Sequence, residues 1–452
     1  MQSEAGGSGA YRNSVSLGRD SRKAVISQFF GFFADAYDLT LVLASSLILT
    51  AVFLPPEIPE LVRAFELVFS YSLTIIARPL GSAIFGNYGD RIGRRRILLI
   101  TVYSDIIFAA AIALLPDYRQ AGYLGFILYS VIRFGLGIFL GGEYSAGHPY
   151  AMEWTPERLR GRMSGLVQGG FSLGAALSAG VVALFINFFG FDALAGYAWR
   201  LLIITIFIPL IPVLLIRFSI RESPVFEAIL KEERREKFPI MALFRKPVVK
   251  DLLQVMTVMT GLFFLSYVLF AYVPIILGSA PSTLSSGQVS IVLVASYTAA
   301  FFGAFATGSA SQKYGRRTMG MVIAAISGIL AVPLYYLLFT LPSSGEIYLT
   351  TLAGMATGII TQAAWGLVPV YLTERFSATH RASGAGFGYS SGIFVGGWFS
   401  VYIPLMHTYL FGAVDTSTNV WFSTAVLMII GALLTGIGFY KGPETAGSNL
   451  GK

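Results

Sequence analysis

The sequence contains no cysteine, and only three of its 452 residues are histidine. Without cysteine there can be no disulfide, thiolate nucleophile or cysteine metal site. The histidines lie in separate segments, and no glycine-rich loop precedes a Lys-Ser or Lys-Thr pair. We therefore expect no catalytic residue, no metal, no cofactor and no ATP-driven chemistry within this chain, which excludes an enzyme.

Charge is scarce as well: 12% of the residues are charged and 55% are hydrophobic, with a mean hydropathy of +0.69. A chain with this composition is too apolar to be soluble. Stretches of about 20 apolar residues, the length that a helix needs to cross a bilayer, recur along the whole chain. The fold class expected is all-α integral membrane, with twelve transmembrane helices. The predicted spans 1 to 12 are 24–50, 63–85, 97–116, 122–150, 162–189, 199–219, 252–278, 288–309, 319–341, 347–373, 383–405 and 419–440.

The positive charges predict how these spans are oriented. With the N-terminus in the cytoplasm, 27 of the 32 Lys and Arg residues fall in cytoplasmic segments, which accounts for the net charge of +8 without a nucleic-acid partner. Arg63, Arg119 and Arg200 lie at outer ends of spans. The polar start of the chain and the long first apolar run argue against a cleavable signal peptide. We expect a multi-pass plasma-membrane protein with both termini in the cytoplasm.

The longest polar interval, residues 217–251, carries nine basic residues and divides the spans six and six. We interpret it as an amphipathic cytoplasmic linker whose charge sets the topology. The predicted units are a tail (1–23), an N-terminal six-helix bundle (24–219), the linker (220–250), a C-terminal six-helix bundle (251–440) and a second tail (441–452).

The two halves contain related loops. GNYGDRIGRRR at 86–96, after span 2, matches GSASQKYGRRT at 308–318, after span 8. ERLRGRMSG at 157–165 likewise resembles ERFSATHRASG at 374–384. Parallel repeats of this kind are typical of alternating access, in which one bundle rocks against the other around a site near the bilayer midplane.

These motifs resemble the major facilitator superfamily of transporters over about residues 24 to 445. The family's signature loop is present as Gly86, Asp90, Arg91, Gly93, Arg94 and Arg95. The segment at 133–162 is similar to proton-coupled symporters of organic acids, ESP at 222–224 and PET at 443–445 to sugar porters, and GFFADAYDL in span 1 to phosphate, lactate or sialate symporters. The resemblance implies a monomeric secondary transporter that uses the proton gradient and no cofactor.

Charges within the spans are confined to the N-terminal half, as Asp35, Asp38, Arg78, Asp105, Arg133 and Glu143. The interiors of spans 7 to 12 contain no Asp, Glu, Lys or Arg. Charged side chains are costly in a bilayer, so each is a candidate functional group. We therefore predict that the N-terminal half carries the proton.

Asp35 and Asp38 are three residues apart and share one helical face. Burial and like charge both favour the protonated form, so one of them is expected to hold a proton at rest. The alternative is that one only bonds a neighbouring helix, with Tyr37 as a polar contact. Tyr37 is also a candidate substrate-binding residue. Arg133 is predicted to be the cation that protonation releases to bind an anionic substrate, unless it forms a permanent ion pair.

Three other charged residues have weaker assignments. Glu143 is expected to be a second proton site or a gate residue, and it lies about 15 Å along the helix from Arg133, too far to pair with it. Asp105 is a further candidate proton site, although Ser104 beside it suggests local hydrogen bonding. Arg78 is expected to extend toward the cytoplasmic interface rather than to line the site.

Neutral groups of the second half could bind the rest of a substrate: Gln254 and Tyr267 in span 7, and Gln362 and Trp365 in span 10. Each by itself fits a packing role better than a binding role. The signature loop is interpreted as a gate, in which Asp90 binds a helix N-terminus of the other half or an arginine. The second loop has Gln312 at the Asp90 position, so it is expected to act through Arg316 and Arg317.

The function expected is proton-coupled symport of a small organic anion. A sugar or phosphate transporter of the same superfamily, facilitated diffusion without a proton, and a transporter-like sensor remain the alternatives. Span 7 lacks the paired glutamines of hexose porters, and the Gly-Gly-Asp-Tyr of phosphate symporters is Gly-Gly-Glu-Tyr here, which counts against both substrates. Lipid, protons and a small substrate are the only partners expected.

Overall fold

A computed structural model describes residues 17–55, 57, 60–232, 236–416 and 419–451, without the side chains of residues 60–71. Most of the predicted N-terminal tail and the side chain of Arg63 lie outside the described part. Ten helices there are long and apolar enough to cross a membrane. One of them, Glu157–Phe218, is long enough for two spans, and Glu60–Ile92 supplies another, so the twelve predicted spans are all helical.

The first six spans occupy the N-terminal half. Gly190, whose φ is 72°, breaks the long helix between spans 5 and 6. Each of them extends past at least one predicted end, because a helix can continue into polar residues beyond the hydrocarbon. Their bounds are Arg19–Ala44 with Ser46–Phe53 (span 1), Glu60–Ile92 (span 2), Arg94–Ala113 (span 3), Tyr123–Glu153 (span 4), Arg160–Ala193 (span 5), and Leu194–Ala198, Trp199–Ile204 and Phe207–Phe218 (span 6).

The other six spans form the second half, and two of them are interrupted by short turns of 3-10 or π helix. The bounds are Val248–Tyr267, Val268–Tyr272 and Val273–Gly278 (span 7), Ser286–Tyr314 (span 8), Arg316–Thr340 (span 9), Ile347–Ala363, Ala364–Leu367 and Val368–Arg375 (span 10), Arg381–Ser391, Ile393–Gly396, Phe399–Met406 and His407–Phe411 (span 11), and Trp421–Lys441 (span 12). The linker contains the helices Pro224–Lys231 and Pro239–Ala242.

Each half has its own apolar core. The core of the N-terminal half lies among spans 1, 3, 4 and 6, and includes Trp199, which is fully buried. A second core fills the C-terminal half and continues across the interface to Phe32, Leu39 and Leu136 of the first half. The halves meet along span 5 against span 8 and span 2 against span 11. A site between the halves is therefore bordered by both cores.

Candidate functional site

A narrow central cavity of about 30 Å³ lies between the two halves. It has room for one or two water molecules, so a metabolite could enter only if the halves separated. The first half supplies spans 1, 2 and 5 to its wall, and the second supplies spans 7, 10 and 11. Its lining residues are Leu39, Thr40, Ile75, Arg78, Gln168, Phe171, Phe263, Ser266, Tyr267, Phe270, Gln362, Trp365 and Tyr389.

Three of the predicted substrate residues line this cavity: Tyr267, Gln362 and Trp365. Gln362 donates to the Ser266 hydroxyl at 3.4 Å, and the Trp365 indole donates to the Leu262 carbonyl at 3.1 Å. These bonds fix the side chains while one face of each remains toward the cavity.

The other predicted substrate residues do not line it. Arg133 is 1% exposed inside the first half. Tyr37 donates to the Thr205 hydroxyl at 2.7 Å, because its position on span 1 turns it toward span 6. Gln254 lies 13 residues before Tyr267, about 20 Å along the helix, and donates to the Gly438 carbonyl at 2.7 Å. Helix rotation and axial distance thus separate three predicted residues from the cavity.

Arg78 differs from the sequence expectation. Instead of reaching the interface it is 6% exposed and lines the central cavity. Its Nε has no hydrogen-bond partner, and no carboxylate lies within 4 Å of its guanidinium, among the described side chains. The reason is that neighbouring helices enclose this face of span 2, and the sequence of one helix does not reveal that.

Sequence reasoning missed Gln168. It lies on span 5, is 4% exposed and lines the cavity, and its Oε1 has no partner in the described part of the chain. A single amide within the apolar run GLVQGGFSLG was the signal that could have identified it.

The first half buries two ion pairs away from the cavity. Arg133 Nη1 lies 2.6 Å from Asp38 Oδ2, and Arg133 Nε donates to the Tyr129 hydroxyl at 3.3 Å. Glu143 pairs with Arg217 and accepts from the Thr101 hydroxyl at 2.8 Å. Arg217 is 1% exposed at the end of span 6, so it is not part of the solvated linker charge that the sequence suggested.

Asp35 and Asp105 have no such partner. Both are buried, at 6% and 8% exposure, and with Asp38 they line a small cavity of about 10 Å³ inside the first half. No Lys or Arg nitrogen of the described side chains lies within 4 Å of either carboxylate. Asp105 Oδ1 also lacks a hydrogen-bond partner among the described groups.

On the side of the signature loop, Asp90 joins the two halves. Its two oxygens accept from the backbone N–H groups of Ala382 and Ser383 at 2.9 and 2.8 Å, at the N-terminus of span 11. Arg94 lies 3.1 Å from the same carboxylate. Gly86 allows the close approach, because a Cβ there would lie 2.9 Å from Ser383 Cα.

The remaining signature residues support the turn between spans 2 and 3. Gly93 has φ 108°, which glycine tolerates, and Glu222 of the linker accepts from the backbone N–H groups of Arg94 and Arg95 at 3.1 and 3.2 Å. Arg91 is exposed. Burial raises the pKa of Glu222, while these hydrogen bonds oppose the rise.

The second loop differs from the expectation. The Gln312 amide accepts from the Gly161 N–H at 2.9 Å and donates to the Glu157 carbonyl at 3.1 Å, so it bridges the halves itself. Arg316 instead lies 3.4 Å from Glu374 of its own half. Arg317 is likewise bound to the Tyr440 carbonyl, at 2.8 Å. A side-chain amide both donates and accepts hydrogen bonds, so Gln312 can bond a backbone N–H and a backbone carbonyl of the opposing helix end.

Glu153 and Arg381, which the sequence analysis did not select, also bridge the halves. They lie 3.0 Å apart with both side chains buried. The C-terminal tail covers this region: Arg160 donates to the Ser448 carbonyl and Arg381 to the Leu450 carbonyl, both at 2.9 Å. The signature-loop side is thus closed.

The opposite side is wider. A cavity of about 460 Å³ lies between spans 1 and 5 of the first half and spans 7 and 8 of the second. It shares Thr40 and Phe270 with the wall of the central cavity. The larger cavity therefore borders the central cavity. On the signature-loop side of the central cavity, contacts between the halves close the protein.

The sequence comparisons agree with this geometry. Residues 62–397 match the model of the Major Facilitator Superfamily. The chain belongs to this superfamily of membrane transporters. It is 27% identical to the shikimate transporter of Escherichia coli over 437 residues, which cover 93% of this chain and 94% of that protein. It is 28% identical to the glycine betaine/proline/ectoine/pipecolic acid transporter of Dickeya dadantii over 440 residues, 95% of this chain and 84% of that protein.

Among solved structures, the fold matches that of the proton:xylose symporter XylE bound to 6-bromo-6-deoxy-D-glucose, with a TM-score of 0.76. The identity is 19%, and the match covers 96% of this chain and 98% of that one. The all-α architecture of two six-helix bundles is confirmed, and the protein is a secondary transporter of this superfamily rather than an enzyme.

Proposed function

We propose that this protein is a proton-coupled symporter of a small organic anion. The observation that carries the proposal is Arg78, whose guanidinium faces the central cavity and has no carboxylate within 4 Å in the described part of the chain. A buried cation without a partner is unfavourable, so the site should attract an anion that can pair with it. Gln168 and Gln362 would bind hydroxyl or carbonyl groups of the same ligand. The shikimate transporter among the relatives supports a carboxylate substrate.

This proposal moves the substrate cation from Arg133 to Arg78. Arg133 already bonds to Asp38 at 2.6 Å and does not border the central cavity. The buried carboxylates of the first half would carry the proton, because protonation of Asp35, which acts on Arg78, changes the electrostatic surroundings of that cation.

A zwitterion is the second candidate substrate. Phe263, Trp365 and Tyr389 lie within 5.3 to 5.7 Å of one another at the cavity wall. Aromatic faces attract quaternary ammonium groups. A betaine could therefore place its carboxylate on Arg78 and its cation against these rings, as the betaine and proline transporter among the relatives suggests.

The test uses purified protein in proteoliposomes with an external pH electrode. Hydroxy acids, other monocarboxylates, betaines, inorganic phosphate and pentoses are added in turn. Alkalinisation on adding one acid supports symport and identifies the substrate class. Arg78→Gln should weaken binding of that acid by about tenfold to a hundredfold, because a charge-assisted hydrogen bond contributes about 1.5–3 kcal/mol. Arg245→Gln, at an exposed linker position, removes the same charge without touching the cavity and is the control.

Two results would contradict the proposal. Uptake of a pentose with no pH change would indicate a sugar uniporter. Unchanged affinity in Arg78→Gln would show that the anion binds elsewhere.

A further inference from the structure

The buried charges of the first half do not balance. Seven side chains interact electrostatically inside it: four carboxylates (Asp35, Asp38, Asp105 and Glu143) and three guanidiniums (Arg78, Arg133 and Arg217). They come from spans 1, 2, 3, 4 and 6. Span 5 contributes no charged group to this cluster.

Two of the three guanidiniums already form ion pairs with carboxylates. Asp38 pairs with Arg133, and Glu143 pairs with Arg217. Arg217 also acts on Asp35 and Asp105, but its charge is balanced by Glu143. In the count of charges, only Arg78 is left to balance the two carboxylates, and it faces the central cavity and is within 4 Å of neither. If both carboxylates were ionised, the cluster would hold one uncompensated negative charge in a low-dielectric interior, which is costly.

The geometry around Asp35 and Asp105 favours a protonated carboxyl group. Asp35 and Asp105 line the same small cavity, which has room for about one water molecule. Asp105 is 8% exposed, and its Oδ1 has no partner among the described groups. A carboxylic acid would supply the hydrogen-bond donor that this environment lacks, directly or through that water.

We infer that Asp35 and Asp105 together hold the transported proton: they share one proton when the central cavity is empty and carry a second when an anion is bound to Arg78. This inference rests on the proposed function, because it takes the substrate to be an anion at Arg78. An anion bound to Arg78 neutralises the charge of that guanidinium, which then no longer balances the carboxylates. A further proton on the carboxylates restores neutrality. The predicted ratio is one proton for each monovalent anion, with no net charge moved.

Infrared difference spectroscopy tests the shared proton without any substrate. At neutral pH the wild-type protein should show the carbonyl band of a buried carboxylic acid. The band should disappear in the Asp35→Asn, Asp105→Asn double variant and persist in Asp192→Asn, which removes an exposed carboxylate from the same half. No band in the wild type, or an unchanged band in the double variant, overturns the inference. If the double variant does not fold, Asp105→Glu keeps an acid there and should shift the band.

Transport tests the second proton. Adding the transported anion should about double the carboxylic acid band. Asp105→Asn should keep anion exchange but lose accumulation driven by a pH gradient, by about tenfold for each pH unit of the gradient, because one proton moves with each anion. Normal accumulation in Asp105→Asn overturns the assignment. Absence of any anion-driven pH change in the wild type would instead refute the proposed symport, while the substrate-free band still tests the shared proton.

Discussion

Arg78 and Arg133 are each a cation within a membrane span, yet their surroundings differ. Arg133 bonds a carboxylate at 2.6 Å and a tyrosine hydroxyl, whereas Arg78 faces the central cavity. The sequence predicted Arg133 as the substrate cation, with a permanent ion pair as the alternative, and Arg78 as a residue that extends toward the interface. Which of them meets a carboxylate depends on a residue 95 positions away in the chain, and helical spacing carries no information about that contact.

The Asp38–Arg133 pair should be structural. Asp38→Asn and Arg133→Gln should each destabilise the protein by about 3–5 kcal/mol, because removing one partner leaves the other charge buried and unpaired. The double variant should lose less stability than the sum of the losses of the two single variants. Thermal unfolding of the purified variants, analysed as a double-mutant cycle, measures this coupling.

The same variants separate structure from proton transport. If Asp38→Asn is as stable as the wild type and keeps exchange but no longer accumulates substrate, then Asp38 carries the proton. That result would contradict the assignment to Asp35 and Asp105.

At the scale of the element, the first signature loop closes one side of the protein through a helix N-terminus. Both Asp90 oxygens accept backbone N–H groups at the start of span 11, which also favours the negative charge through the helix dipole. Asp90→Asn removes that charge and replaces one acceptor by a donor, so we expect the closed form to lose about 1.5–3 kcal/mol.

Cysteine labelling measures this loss, because the natural chain contains no cysteine to interfere. Ser145 is buried and packs against Gly386 of the other half. In a Ser145→Cys background, Asp90→Asn should raise the labelling rate by a polar maleimide about tenfold to a hundredfold. Asp20→Asn, in a partly exposed ion pair 3.8 Å long, is the control. Equal rates in the two variants would show that Asp90 does not hold this side closed.

At the scale of the whole molecule, the closed and open sides are two ends of one interface. The Asp90, Gln312 and Glu153 contacts close one end, and the cavity of about 460 Å³ separates the halves at the other. In alternating access, weakening one end must favour closure of the other.

Labelling at the wide end therefore tests rigid-body motion. Ser290 lines the larger cavity. In a Ser290→Cys background, Asp90→Asn should lower the labelling rate, opposite in sign to its effect at Ser145→Cys. If both rates rise, Asp90→Asn loosens the protein locally and no reciprocal movement of the halves takes place. The Asp20→Asn control should change neither rate.

Much of the architecture could be predicted. Apolar length identified all twelve spans, and the repeated loops identified the two halves. Of the candidate substrate residues, Tyr267, Gln362 and Trp365 line the cavity, but Tyr37 and Gln254 bond within their own halves. A polar residue in an apolar helix signals that something must satisfy it, and both a substrate and another helix can do so. That ambiguity accounts for most of the misplaced residues.

The sequence by itself determined that this protein crosses a membrane many times, that it consists of two related halves, and that the charges in the interiors of its spans lie in the first. Those properties follow from composition, length and spacing along the chain. Only the tertiary structure decided which charges neutralise one another and that Arg78 rather than Arg133 faces the cavity. It also shows that, among the described side chains, no cation lies within 4 Å of Asp35 or Asp105. Electrostatic pairing depends on distances of a few ångströms between residues far apart in the chain, and packing of the helices sets those distances.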